Sequence, residues 1–284
     1  MKIKNIYLIC IIILIPIFLS SCSQIDTLEV KVGLKNSDFD YMKQGKVSEI
    51  DIQNERDNGY KFIITNEKAI LDVYNILSDA KPATTKSNLK PDYEFDIYIK
   101  GQKDPLKFKY IVGLDSKAGG NLYSNDKCYY VPNRIDTDII KNFDDTRTPK
   151  DFSKLYYTFI EQCITKYRND TKASNKEIGI DMYDDLDVQK YIFSADLADF
   201  ENSLPSNCKV LESENDTAPI TETVTTDGYK FGSFSYKGKS LTGYLYKSTV
   251  VFYDNDTKEQ KKYSIVGTYT SNDDSWNIDI SSTN

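Results

Sequence analysis

Apolar and polar residues alternate in two consecutive stretches of the chain, and this alternation restricts the possible folds more than any other pattern. The first stretch places apolar side chains at Tyr93, Phe95, Ile97 and Ile99, and the second, after a turn with Gly and Pro, at Leu106, Phe108, Tyr110 and Val112. Successive side chains of a strand point to opposite faces of a sheet. The two stretches therefore predict a β-hairpin with one buried face.

The residues around this hairpin predict an α+β domain over residues 28–145. A helix capped by Asn66 or Thr65 would carry Ala69, Ile70, Val73, Ile76, Leu77 and Ala80 on one face and end before Pro82. We expect strands at Leu28–Leu34, Val47–Ile52, Tyr60–Thr65 and Cys128–Val131, and a last helix ending near Phe143.

The second half of the chain, residues 146–284, predicts two helices followed by an antiparallel sheet. Thr148 suits an N-cap, Pro149 the first helical position and Asp151 the acid of a capping box. The apolar face of this helix would consist of Phe152, Leu155, Tyr156, Phe159, Ile160, Cys163, Ile164 and Tyr167. A second amphipathic segment covers Leu186–Leu204, and strands are expected at Tyr229–Tyr236, Leu241–Tyr253, Lys262–Thr270 and Ser275–Ile280. The predicted fold class is α+β with two domains, each an antiparallel sheet packed with one or two helices.

Residues 1–21 have the pattern of a signal peptide. Lys2 and Lys4 precede the uncharged apolar run Ile6–Leu19, which is shorter than the about 20 residues that a membrane-spanning helix needs. The sequence Leu19-Ser20-Ser21-Cys22 that follows resembles the lipobox of bacterial lipoproteins of the Gram-positive type. The resemblance implies cleavage between Ser21 and Cys22, a diacylglyceryl group on Cys22 and often palmitate as an acyl chain. Residues 22–27 would then form a tether, and we expect a lipid-anchored protein on the extracellular face of the cell membrane.

Charge and cysteine content limit the partners. The chain has a net charge of −7, and no Lys/Arg cluster follows the leader, so we expect no nucleic-acid binding. Besides the membrane, another surface or cell-wall protein remains open as a partner. Cys128, Cys163 and Cys208 cannot all pair with one another, and a Cys163–Cys208 bridge is left open.

The absence of histidine excludes most hydrolase and sortase-type mechanisms. Without imidazole the chain has no Ser-His-Asp or Cys-His pair and no His-containing zinc site. Ser87-Asn88-Leu89-Lys90 matches S-x-x-K, but it lies in a predicted loop between two prolines, and we interpret it as a chance match. The sequence predicts no catalytic residue, no cofactor and no metal ligand.

Two acidic clusters and one glycine-rich stretch have plain structural interpretations. Asp181, Asp184, Asp185 and Asp187 could bind calcium, as could Asp254-Asn255-Asp256, but neither cluster fits an EF-hand and solvated turns are favoured. Gly113–Gly120 does not match a phosphate-binding loop and predicts a mobile connection. The 22 tyrosines either pack on half-buried sheet faces, which we favour, or are displayed for a ligand.

Two parts of the chain resemble known families. The helix at residue 66, Pro91-Asp92-Tyr93 with the hairpin, Ser116–Gly120 and Tyr129–Val131 together resemble the YhfM-like domain of Bacillus and Clostridium lipoproteins, over about residues 60–143. The resemblance implies architecture and cellular address and assigns no functional residue. The last strands, Ser248–Tyr253, Tyr263–Val266 and Trp276–Ile280, are similar to the end of NTF2-like and cystatin-like domains, in which the closing Trp packs under the sheet.

Three functions remain open. The favoured one is a non-catalytic interaction or accessory module. The alternative is small-molecule binding inside a concave C-terminal sheet, and a carboxylate-based hydrolase is third because the chain has 43 acidic residues. A filled core with an exposed aromatic patch would favour the interaction module.

Overall fold

The computed structural model of the protein describes residues 35–114, 116–131, 135, 150–171, 175–213 and 215–283. These residues form helices and two sheets, which confirms the predicted α+β class. The predictions for the leader, Cys22, the strand at 28–34, the helix near Phe143 and the cap at Thr148 fall outside the described residues.

The N-terminal domain is built on a seven-stranded sheet. Its strands are β1 (Val47–Asn54), β2 (Lys61–Ile64), β3 (Lys81–Pro82), β4 (Tyr93–Ile99), β5 (Leu106–Tyr110), β6 (Leu122–Tyr123) and β7 (Cys128–Tyr130). They are ordered β2-β1-β4-β5-β6-β7-β3, and the pairs are antiparallel. The predicted hairpin is confirmed as β4–β5, in which Tyr93 pairs with Tyr110 and Phe95 with Phe108.

In the described part of this domain, the short α1 (Asp40–Lys43) and α2 (Glu67–Ser78) pack against the sheet. Asn66 caps α2, since its side chain accepts hydrogen bonds from the backbone N–H groups of Lys68 and Ala69 at 3.0 and 3.2 Å. The predicted apolar face of α2 lies in the core that also contains Phe39, Met42 and the β4–β5 hairpin. Helix and hairpin were therefore both predictable from their periodicity.

The C-terminal domain contains α3 (Phe152–Thr171), β8 (Ile178–Asp181), α4 (Ser194–Ser203), β9 (Cys208–Val210), β10 (Ile220–Tyr236), β11 (Lys239–Asp254), β12 (Gln260–Thr270) and β13 (Asn277–Thr283). Its sheet has the order β13-β12-β11-β10-β8-β9. Strands β10 to β13 form an antiparallel meander, whereas β8 runs parallel to both β10 and β9. The sheet is thus mixed and not purely antiparallel, because the crossover through α4 returns the chain in the direction of β8.

Both predicted helices of this domain begin later than expected. Asp151 has φ 48°, outside the helical region, and its carbonyl accepts the first helical hydrogen bond from Leu155 N at 3.1 Å. Helix α3 therefore starts at Phe152, and the expected capping-box role of Asp151 is wrong. The Leu186–Leu204 segment is helical only from Ser194, since a loop, a 3₁₀ turn (Gln189–Tyr191) and an extended Phe193 precede it.

Helix α3 fills the space above the meander. Its predicted apolar face is buried, with Tyr167 stacked on Phe252 at 4.2 Å between ring centroids and Phe159 5.7 Å from Tyr246. Gly267 lets the helix approach closely, because a Cβ atom there would lie 3.0 Å from Leu155 Cδ1. The centre of this domain is therefore packed with side chains.

Candidate interaction site

A row of aromatic side chains crosses the sheet just beyond the N-terminal end of α3. Phe231 on β10 pairs with Tyr244 on β11, and Tyr244 pairs with Tyr269 on β12. Trp276, just before β13, completes the row at 5.7 Å from the Tyr269 ring. We call Phe231, Tyr244, Tyr269 and Trp276 the aromatic cluster.

Register places this cluster on the face of the sheet that α3 covers. The neighbouring rung on that face contains Tyr229, Tyr246 and Gly267, and Tyr246 and Gly267 both lie close to α3 side chains. The aromatic cluster is one rung further along, where the helix has not yet begun. Helix α3 therefore buries the inner rungs and leaves the aromatic rung at the edge of the core.

Lys150 joins the helix start to this cluster. Its ammonium group lies 4.1 Å from the centroid of the Tyr269 ring and donates a hydrogen bond of 2.6 Å to the Tyr269 hydroxyl. The Trp276 indole N–H donates to the Lys150 carbonyl at 2.7 Å. The hydrogen bond to Tyr269 raises the pKa of Lys150. These contacts of Lys150 fix the positions of the Trp276 and Tyr269 side chains.

Exposure differs across the cluster. Phe231 is 67% exposed and Tyr269 only 9%, whereas Tyr244 and Trp276 are partly buried. The rings are tilted against each other, by 50° for Phe231 and Tyr244 and by 57° for Tyr269 and Trp276. The cluster thus offers a protruding ring beside partly buried ones, and not a flat platform.

Trp276 lies at the margin of the core, partly buried, with its ring against Tyr244 and Tyr269. A Cβ atom on Gly267 would lie 3.2 Å from Trp276 Cε3, so the indole packs against the face of the sheet that α3 covers.

A buried polar network lies next to the inner rungs. The Asp185 carboxylate accepts hydrogen bonds from the Thr226 N–H at 2.9 Å, the Thr226 hydroxyl at 2.8 Å and the Tyr156 hydroxyl at 2.9 Å. Tyr246 extends the network at 2.6 Å from the Thr226 hydroxyl. Burial raises the pKa of Asp185, although these three hydrogen bonds act in the opposite direction. The network ties the loop after β8 to β10 and α3.

A second buried carboxyl has no such support. Glu222 on β10 is 0% exposed, and neither of its carboxyl oxygens has a hydrogen-bond partner among the described residues. It shares its sheet face with Ile220 and Val224, which belong to the core under α3. Burial raises its pKa well above the ordinary value. The folded protein therefore favours the neutral carboxyl.

The residues that the sequence suggested as candidates for catalysis do not form a common site. Ser87 lies in a loop and its hydroxyl accepts from Leu89 N–H at 3.2 Å, while Lys90 is exposed. Cys128, Cys163 and Cys208 are free thiols, and burial raises the pKa of each. A raised thiol pKa disfavours the reactive thiolate.

The acidic clusters have structural contacts. The Asp185 carboxylate accepts hydrogen bonds within the buried network. The Asp254 carboxylate accepts from the Lys176 ammonium at 2.7 Å and from two backbone N–H groups of its own turn. Within the described part of the chain, no group of three or more acidic or cysteine side chains could hold a metal ion.

The glycine-rich stretch Gly113–Gly120 was predicted to be a mobile connection, but its last residue, Gly120, is closely packed. A Cβ atom on Gly120 would lie 2.3 Å from Cys128 Sγ and 2.8 Å from the Tyr129 carbonyl oxygen. Gly120 also bridges to Lys86 on the neighbouring loop. Glycine is required here by close packing between loop and strand.

In the described ranges, no helix is both long enough and apolar enough to span a membrane.

Comparison with known protein families identifies a match in the N-terminal half of the chain. A family model described as YhfM protein matches residues 43–149, which include β1 to β7 and α2. The match supports the predicted YhfM-like N-terminal domain and extends beyond the predicted residues 60–143 at both ends. No curated protein and no solved structure matches the chain. The resemblance of the C-terminal strands to NTF2-like and cystatin-like domains therefore stays a prediction.

Proposed function

We propose that the protein is a lipid-anchored surface protein without catalytic activity, and that its C-terminal domain binds another protein through the aromatic cluster. The observation that carries this proposal is the exposure of Phe231 beside three further aromatic rings. Tyr and Trp are enriched in the cores of protein interfaces, where a few large side chains supply most of the binding free energy.

The shape of the cluster favours a protein over a sugar. A sugar ring stacks on a flat, open aromatic face, whereas the rings of this cluster are tilted by 50° to 73° between cross-strand neighbours. Tilted rings offer edges and faces to a partner at the same time, and aromatic side chains of a protein partner pack on both in edge-to-face and offset-stacked geometry.

Small-molecule binding within the sheet is disfavoured by the packing of the interior. Phe159, Cys163 and Tyr246 are each 0% exposed at the centre of the domain. A ligand in this space would have to displace side chains of α3. Glu222 is also fully enclosed, so a substrate could reach this carboxyl only after the core opened.

The anchor rests on the leader and on Leu19-Ser20-Ser21-Cys22. We expect mass spectrometry of the mature protein to find an N-terminal Cys22 with a diacylglyceryl group, and we expect Cys22→Ala to give an unprocessed or released protein. A processed, membrane-bound C22A protein would overturn the anchor and leave the proposed interface untouched.

The interface is tested by site-specific photo-crosslinking in the producing cell. A benzoyl-phenylalanine in place of Phe231 should yield a discrete crosslinked product, and the same group in place of Ile63, which is 59% exposed in the other domain, should not. The crosslinked protein is then purified and titrated with wild-type and F231A ectodomain.

We expect F231A to weaken the binding by about thirtyfold or more, because truncating an aromatic hot spot costs about 2 kcal/mol or more and each 1.4 kcal/mol is a factor of ten. Equal affinity of wild type and F231A, or equal crosslinking at both positions, would refute the assignment of this surface.

A further inference from the structure

The N-terminus of α4 lies against the other domain. Helix α4 begins at Ser194, and the preceding residue Phe193 is its N-cap. The Phe193 side chain belongs to the partly buried residues packed against the N-terminal core, and its ring lies 6.3 Å from that of Tyr93. Lys190, just upstream, places its ammonium 5.6 Å from the Tyr60 ring centroid.

A carboxylate of the N-terminal domain supplies the polar contact at this helix end. Asp92 is fully buried, and its Oδ1 accepts from the Ser194 N–H at 2.8 Å and from Arg56 Nη1 at 2.7 Å. Its Oδ2 accepts from the Val112 N–H at 2.8 Å. Arg56 Nη2 donates in turn to the Ser194 hydroxyl at 2.6 Å. Asp92, Arg56 and Ser194 thus form a closed set of hydrogen bonds between the domains.

Helix α4 depends on the Asp92 carboxylate because its own N-cap residue, Phe193, cannot accept a hydrogen bond from the first N–H groups of the helix. Phe193 has no side-chain acceptor, and no capping hydrogen bond from it is present. The first N–H groups of a helix lack partners within the helix, and a negative charge at this end is favourable. Asp92 therefore does for α4 what Asn66 does for α2, but from another domain.

We propose that Asp92 and Arg56 form a docking site on the N-terminal domain that binds the N-terminus of α4, and that this contact holds the two domains in one fixed arrangement. The kind of partner it fits is a helix that starts with Ser after an aromatic residue, as in Phe193-Ser194. The aromatic residue packs against the apolar core of the N-terminal domain. The serine N–H donates to the carboxylate, and the serine hydroxyl accepts from the guanidinium. The docking site is independent of the proposed protein partner of the aromatic cluster.

Hydrogen exchange of the full-length ectodomain tests the docking site. In Asp92→Asn the charge is lost while size and shape are kept, so we expect the amides of residues 194–203 to exchange about tenfold faster or more. We expect β4 and β5 to keep their protection, because their ladder does not involve this carboxylate. Lys107→Ala is the matched control, since it removes ion pairs with Glu94 and Asp96 from the same sheet without touching the junction.

Phe193→Ala removes the apolar contact of the same junction from the C-terminal domain. This variant replaces D92N in the test if D92N fails to fold. It should likewise speed exchange in residues 194–203, and small-angle scattering should show a larger radius of gyration for both variants. Unchanged exchange at α4 in D92N or F193A, or faster exchange confined to β4 and β5, would overturn the docking site.

Discussion

Glu222→Gln should remove a dependence of stability on pH. In the folded protein the Glu222 carboxyl is buried without a hydrogen-bond partner among the described residues, and burial raises its pKa well above the ordinary value of 4.5. The unfolded chain releases the Glu222 proton as the pH rises through that ordinary value, while the folded protein keeps it. The contribution of Glu222 to the free energy of unfolding therefore falls by about 1.4 kcal/mol for each pH unit, until the pH passes the raised pKa.

Glutamine has nearly the same shape and cannot ionise. The stability of the Glu222→Gln variant should lack this slope, so its advantage over the wild type should grow from near zero at about pH 4.5 towards neutral pH. Glu259→Gln, in an exposed turn, is the control and should follow the wild type.

Urea unfolding at a series of pH values measures this difference. Trp276 is the single tryptophan of the chain and lies in the C-terminal domain, so its fluorescence reports the unfolding of the domain that contains Glu222. The midpoint and slope of each curve give the free energy of unfolding. Parallel stability–pH lines for wild type and E222Q would show that Glu222 is solvated or paired in the folded state, and the reasoning would fail.

Two further substitutions test single contacts. Tyr156→Phe removes one donor from the buried Asp185 carboxylate and should lower the free energy of unfolding by about 1–3 kcal/mol in the same fluorescence assay, whereas Tyr253→Phe on the exposed face should change it little. Asn66→Ala removes the two cap hydrogen bonds of α2 and should cost about 1 kcal/mol, measured by circular dichroism during urea unfolding, whereas Asn66→Asp should restore most of it.

Periodicity predicted the helices and strands whose own sequences have a regular apolar pattern. The β4–β5 hairpin, α2 and the apolar face of α3 follow from alternation and from a repeat of three and four residues. Strand β8 has only four residues, Ile178–Asp181, and its parallel partners are distant in the chain. Periodicity within a strand does not show which distant strand it pairs with or in which direction, so the mixed sheet could not be predicted.

The aromatic cluster could not be predicted because the strand register determines which aromatic side chains share one face of the sheet. The excess of tyrosine was visible, but β10 changes register between Thr226 and Gly228. This bulge places Tyr229 and Phe231 on the same face as Thr226, although strict alternation would put them on the opposite face. Gly228, at φ 138°, was the one local signal for it.

Three buried carboxyl groups show most clearly where sequence reasoning ends. Asp92 receives three donors including Arg56, Asp185 receives three donors from Thr226 and Tyr156, and Glu222 receives none among the described residues. Their positions in the sequence carry no hint of this difference, because each set of donors comes from distant parts of the chain. Burial raises the pKa of all three carboxyls, but the consequences of truncation differ. Truncating Asp92 or Asp185 removes hydrogen bonds that connect elements and should cost stability. Truncating Glu222 removes no such hydrogen bond, so only the cost of its burial is relieved, and this cost grows as the pH rises.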